Sequence, residues 1–379
     1  DAQESRGLGD VYKRQIQSII LLVIRIMKYC LTFLFLLVIF TGCTSDLPKD
    51  RMLYASFPKE ETLHSKVIQL DSVYMRYPFR VHVSGDQAVV LDLHGTDVYC
   101  HLFHYPDFHY LSSFGRRGDS PEEMLSVETV KCIDGSFWTL DANKGELTRF
   151  EFVSDRDSLL RAEAISFDKD SILRALDFVA FNDTTFLIPD YSGDSRFCWV
   201  NRQGKFLKKS GVIPSLNEEA LKEARPALAQ AWRSFIDYNP HNGVLVAATQ
   251  LGEVLEIYNL QNGFHRVCLG PKGEPEFKLA GGYAIPDGIM GFSDVQVTNE
   301  AIYAVFHGHT FKEIMAQHQK EGRATDGGQY IYVFNLQGEP LCKYTLDRYI
   351  TGFHVDERNK TITATDVNND QPIVEFRFG

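Results

Sequence analysis

The chain has 379 residues, of which 44% are hydrophobic, 23% charged and 12% aromatic. That balance supports a sizeable buried core and excludes wholesale disorder or a collagen-like repeat. With 39 basic against 50 acidic residues the formal net charge is -11, which argues against nucleic acid as a partner.

Two apolar runs come first, Ile16–Ile26 and Leu31–Phe40, separated by Met27-Lys28-Tyr29-Cys30. Neither is long enough to span a bilayer, and Arg25 and Lys28 interrupt the combined stretch. Met27 and Lys28 read as the charged start of a signal peptide whose apolar core is Cys30–Phe40. Residues 1–26 then read as upstream, non-native sequence. The apolar core ends in Val38-Ile39-Phe40-Thr41-Gly42-Cys43-Thr44-Ser45-Asp46, which resembles a bacterial lipobox, with Phe40 where leucine is usual. The resemblance implies a diacylglycerol on Cys43, with the membrane as a partner through that anchor. No aspartate follows Cys43 directly, which points to an outer-membrane lipoprotein, periplasmic or surface-facing. The expected organisation is a signal peptide over 27–42, a tether over 43–62 and one folded body over 63–379. Cys100, Cys132, Cys198, Cys268 and Cys342 lie far apart in strand-like surroundings and read as small buried residues.

From Phe79 onward, short alternating or β-branched runs are punctuated by Gly, Asn and Asp, the pattern of strands and turns. An apolar run ending in an acid recurs as Val89-Val90-Leu91-Asp92, Phe137-Trp138-Thr139-Leu140-Asp141 and Phe186-Leu187-Ile188-Pro189-Asp190, evenly spaced. Weaker copies without the acid follow at Val244–Thr249 and Ile302–Phe306, and Thr361–Asp366 closes the series at six. A second element, strand then Asn-x-Gln turn, appears at Asn201, Asn259 and Asn335, each followed by another apolar strand. Six units of four antiparallel strands, A to D, predict an all-β, six-bladed β-propeller. The last unit has only three strands after Ile350, and Ser65–Leu70 at the front is available as the fourth, closing the ring.

This chain resembles the TolB-like and NHL-like six-bladed propeller lipoproteins of Bacteroidota. Phe114-Gly115-Arg116-Arg117-Gly118-Asp119-Ser120-Pro121-Glu122-Glu123 is similar to the Gly-Arg-x-Gly-x-Gly-Pro-x-Glu loop of that group, with Asp119-Ser120 replacing x-Gly. The resemblance implies the fold and a cell-envelope location, and carries no assigned activity.

The long excursions at 115–126, 214–234, 270–291 and 307–328 all fall on the face formed by B–C loops and D-to-A connections. Loops on a rigid scaffold are where binding usually resides. Short helical insertions are expected on this face, one capped by Ser215 and ended by Pro226, the other over Phe311–Lys320. Arg116, Arg117, Trp232, His307 and His309 are the partner-binding candidates. The strand-B acids Asp92, Asp141, Asp190 and Asp366 read first as turn formers. A metal site would draw on His307, His309, His318 and Asp366. Asp366-x-Asn368-x-Asp370 opens like a calcium loop, but Gln371-Pro372 replaces the glycine turn and Arg377 replaces the bidentate glutamate. The sequence has no Gly-x-Ser-x-Gly elbow and no His-Glu-x-x-His. The reading is therefore a non-catalytic, lipid-anchored envelope module, without cofactor, engaging a protein or glycan through the loop-rich face. The rival is a lyase or hydrolase using calcium or zinc in the central channel.

Overall fold

The computed structural model describes residue 48 and residues 50–70, 73–322 and 324–379. Cys43 and the signal-peptide reading lie outside them. No helix among the described residues is long and apolar enough to cross a membrane. The strands form six radial sheets, each a four-stranded antiparallel meander at its core. Strand A is innermost in each: Pro78–Ser84, Val127–Ile133, Val179–Asn182, Ser234–Asn239, Phe292–Val297 and Gly352–Asp356 for blades 1 to 6.

The recurring apolar run of the sequence is strand B in every blade: Gln87–Asp92, Ser136–Asp141, Thr185–Pro189, Val244–Thr249, Ala301–Phe306 and Thr361–Thr365. Strand B is apolar on both faces because each face packs on a different neighbour. In blade 1, Val89 and Leu91 join the cluster shared with Phe137 and Phe150 of blade 2. Ala88 and Val90 join the cluster shared with Ile373 of blade 6. Six such clusters fill the six seams, and burying them supplies the main cohesive force.

The Asn-x-Gln turns close the C–D connections. Asn201 Oδ1 accepts from Gln203 N and Lys205 N at 3.0 and 2.9 Å. Asn335 Oδ1 does the same for Gln337 N and Glu339 N. The glycine that follows is required twice over. Gly204 and Gly338 take φ +76° and +88°, and a Cβ there would meet Ser166 O at 1.9 Å and the Cys268 sulfur at 2.5 Å respectively.

Closure follows the expectation. Strand β3 (Lys66–Ile68) pairs antiparallel with Ile373–Arg377 and completes blade 6. The tether expected over 43–62, however, belongs in part to the fold. β1 (Arg51–Leu53) runs parallel along His265–Leu269, the outer strand of blade 4. β2 (Lys59–Leu63) runs parallel along Pro340–Ile350 of blade 5. The N-terminal segment is thus a belt across blades 4, 5 and 6, covering edges that would otherwise be open. Between β1 and β2, Tyr54 and Phe57 are buried against Phe334, with ring centroids 5.3 Å away in both cases.

The helices occupy the expected face with different ends. α1 (Glu218–Glu223) is capped by Asn217, whose side chain accepts from Ala220 N at 3.0 Å; Ser215 instead donates to Glu274. Pro226 opens α2 (Arg225–Ala231) rather than ending a helix, since proline suits a first turn. α3 (Phe311–Glu321) carries a capping box of Thr310 and Glu313. A hairpin of Glu276–Ala280 and Tyr283–Asp287 packs on α2 within the 270–291 excursion.

Candidate functional site

The residues singled out on the loop-rich face do not form one cluster. Trp232 is fully buried, packed with Leu228, Val254 and Val267 beneath α2, so it is unavailable to a partner. It ends an alanine-rich helix whose apolar side turns down onto blade 4, which is why a bulky aromatic fits there. Arg117 lies 4.8 Å from the Tyr99 ring and donates to Gly95 O at 2.6 Å, binding its loop back to blade 1. Arg116 is exposed, 3.4 Å from Glu123. His307, His309, Glu313, Gln317 and Tyr349 line a groove of about 190 Å³ between blade 5 and α3. Burial, then the neighbouring His309, pushes the His307 imidazole down to about 4. His318 is outside that lining.

The strand-B acids are consumed by the backbone. Asp141 accepts from Leu125 N, Ser126 N, Asn143 N and Lys144 N at 2.6, 3.3, 3.0 and 2.9 Å. Asp92 holds Arg76 N and Tyr77 N at 2.9 and 2.7 Å, the segment that leads into its own blade. Asp190 accepts from Ser192 N and Ser195 N. Asp366 accepts from Asn368 N and Asn369 Nδ2 and pairs with Arg348 at 3.2 Å. Asp92 and Asp141 pin the connections into their own blades, whereas Asp190 and Asp366 pin their own B–C loops. Among the described residues, no group of three His, Cys, Asp or Glu side chains is placed to hold a metal, so His307, His309, His318 and Asp366 do not converge.

The larger cavity, about 450 Å³, lies in the central channel, where polar side chains on alternate positions of strand A meet. Carboxylates and a carboxamide there clasp one blade to the next. Asp177 accepts from Ile236 N at 2.8 Å and Asp237 from Val297 N at 2.7 Å. Asp294 accepts from Phe353 N at 3.1 Å and Gln296 from Val355 N at 2.7 Å. These bonds satisfy inner-edge N–H groups that no ladder reaches. They also set the level of each blade against its neighbour, and Asp237, Gln296 and His354 line the same cavity.

Arg80 closes the channel towards the loop-rich face. Its guanidinium lies 3.9 Å from the Phe79 ring and 4.7 Å from the Phe235 ring, donates to Thr351 O at 2.7 Å and pairs with Asp294 at 3.5 Å. On the other side the lining ends at Asp134, Asp183 and Pro240, all in A–B turns. The channel is therefore a blind pocket opening on the face of A–B and C–D turns, opposite the insertions. Lys131 pairs with Asp177 at 3.1 Å. Burial pushes His354 down to about 4, and holds His82 well below the usual imidazole range with help from Lys131. Burial also lifts Asp294 to about 6, against the opposing pull of Arg80, and raises Asp237. Sequence reading missed this set. The available signal was the alternation of Arg80 and His82, Thr129 and Lys131, Asp237 and Asn239, and Asp294 and Gln296 in the first strand of four of the six units.

A family model described as TolB-like 6-blade propeller-like matches residues 56–358. No curated protein matches the chain. Among solved structures, a Bacteroides fragilis protein described as exported is similar, at 9% identity over 86% of this chain and 98% of its own, with a TM-score of 0.51. A DUF4221-family protein of Bacteroides vulgatus is similar at 9% identity over 84% and 96%, with a TM-score of 0.52. Likeness at that identity speaks for the fold alone.

Proposed function

The chain belongs to the TolB-like six-bladed propeller family, and on that premise we propose that it is a binding or scaffolding module of the cell envelope. A lipid on Cys43 holds it to the outer membrane, and the loop-rich face engages an envelope protein. The observation that carries this reading is the Glu276–Ala280/Tyr283–Asp287 hairpin. Its register puts Lys278, Ala280, Tyr283 and Ile285 on one side, away from the side where Phe277 and Ala284 join the cluster under α2. Tyr283 is 64% exposed and Ile285 49%, an aromatic and aliphatic pair on a projecting element. A protein partner suits that mixture better than a glycan, because the aliphatic half offers a sugar neither stacking nor hydrogen bonds.

Location rests on the lipobox-like segment ending at Cys43, in keeping with the exported Bacteroides fragilis relative in fold. A non-catalytic role is favoured because neither channel histidine is hydrogen-bonded to a carboxylate among the described residues. His354 is held near 4, and Asp294, the channel carboxyl raised to about 6, is engaged by Arg80 and by Phe353 N. The metal-dependent alternative lacks a donor set among those residues.

The test is a photo-crosslinking side chain at Tyr283, and in parallel at Gln261 in a C–D turn of the opposite face, in intact cells. A discrete protein adduct at 283 and none at 261 supports the reading. No adduct at 283, or the same adduct at both, contradicts it. For the anchor, Cys43→Ala moves the protein from the membrane to the soluble fraction; retention in the membrane would contradict lipidation.

A further inference from the structure

The channel pocket lies on the other face and has its own chemistry. Its volume of about 450 Å³ is in the range of small-molecule sites. Five aspartates line it, Asp134, Asp177, Asp183, Asp237 and Asp294, against the single lysine Lys131. Lys131 is taken by Asp177, and Arg80 beneath is taken by Asp294. Asp237 is left over. Its Oδ2 accepts from Val297 N, and no ion pair reaches the carboxylate among the described residues. His82 and His354 line the same cavity and make no side-chain hydrogen bond among those residues, so each neutral ring keeps one free acceptor nitrogen.

A half-buried carboxylate outside every ion pair among the described residues, in a cavity that also holds free acceptors, defines what complements it. An ammonium group brings one positive charge, three donors and no acceptor. Anions are repelled by the aspartates. A metal ion lacks a third ligand. A neutral polyol would fill the acceptors and leave the Asp237 charge uncompensated in a low-dielectric pocket. Gln296 spends its carbonyl on Val355 N, which leaves its amide N–H free for a hydroxyl on the ligand body, while Phe181 and Tyr238 supply apolar wall.

We infer that the channel binds a small protonated primary amine, with Asp237 as its counter-ion and His82 and His354 as acceptors. The site is reached from the turn face, so partner and amine bind on opposite sides of the disc.

The experiment is calorimetric titration of the full chain, in detergent, with two matched pairs: glucosamine against glucose, and cyclohexylamine against cyclohexanol. The expected result is millimolar or tighter binding of at least one amine, and at least about tenfold weaker binding of its alcohol counterpart. Equal binding of amine and alcohol, or no binding of either amine, overturns the inference. This comparison needs no variant. Asp237→Asn keeps an oxygen for Val297 N and should weaken amine binding at least about tenfold; unchanged affinity would also overturn it. Tyr283→Asp should leave amine binding intact, which separates this site from the loop-rich face.

Discussion

Asp141, at the loop-rich end of a strand B, accepts four backbone N–H groups, whereas Asp237 in the channel accepts one across the blade boundary and turns its remaining capacity to an open cavity. Both are aspartates on the same scaffold, Asp141 at the end of a strand B and Asp237 inside a strand A. What separates them is residual hydrogen-bonding and charge capacity after the fold has taken its share. A saturated carboxylate is a structural pin, because removing it strands N–H groups away from water. One with capacity left over is a place for something else to bind.

Glu256 extends the saturated class and gives the largest expected effect. It is fully buried, pairs with Arg196 at 2.7 Å and accepts from Tyr258 Oη at 2.7 Å. Glu256→Ala leaves Arg196 charged and unpaired, and should cost about 3–5 kcal/mol in urea unfolding. A loss under about 1 kcal/mol would break the rule that saturation marks structural acids.

The channel groups give a smaller, pH-dependent signature of opposite signs. His354 is depressed to about 4, so its contribution is present above the unfolded pKa near 6.5 and is lost as pH falls towards 4. Asp294 is raised to about 6, so the folded state holds a proton that the unfolded state releases, and its contribution falls as pH rises from about 4 to 6. Stability measured against pH for His354→Gln should therefore decline less on acidification, and that for Asp294→Asn should decline more. Unchanged profiles for both would mean that the channel is as hydrated as bulk solvent. The smallest effect is expected at Arg116, exposed and 3.4 Å from Glu123. Arg116→Ala should change stability by no more than about 0.5 kcal/mol, and a thermal melt checks it.

How much of this was legible in the sequence follows from how each element is buried. Strand B lies between two neighbours, so its apolar run is continuous; all six could be counted, four of them punctuated by a terminal Asp. The closing strand was legible as a one-strand deficit. The rim strands were not, since β1 and β2 have a paired edge on one side only and Lys59-Glu60-Glu61 reads as solvated. The hairpin around Gly281-Gly282 was passed over inside a long excursion, although a Gly-Gly pair between apolar strands is a turn signal. Trp232 was misread because burial beneath a helix leaves no mark that distinguishes it from an exposed anchor. The channel set is hardest, because residues from all six blades meet there and the level of each blade is fixed by bonds such as Asp237 to Val297 N.

The distinction between pinned and available carboxylates is tested most directly by urea unfolding of Asp141→Ala and Asp237→Asn side by side. The account predicts a loss of about 3 kcal/mol or more for Asp141→Ala, which strands several buried N–H groups, and a change within about 1 kcal/mol for Asp237→Asn, which keeps its one acceptor. Equal losses in the two variants would contradict it.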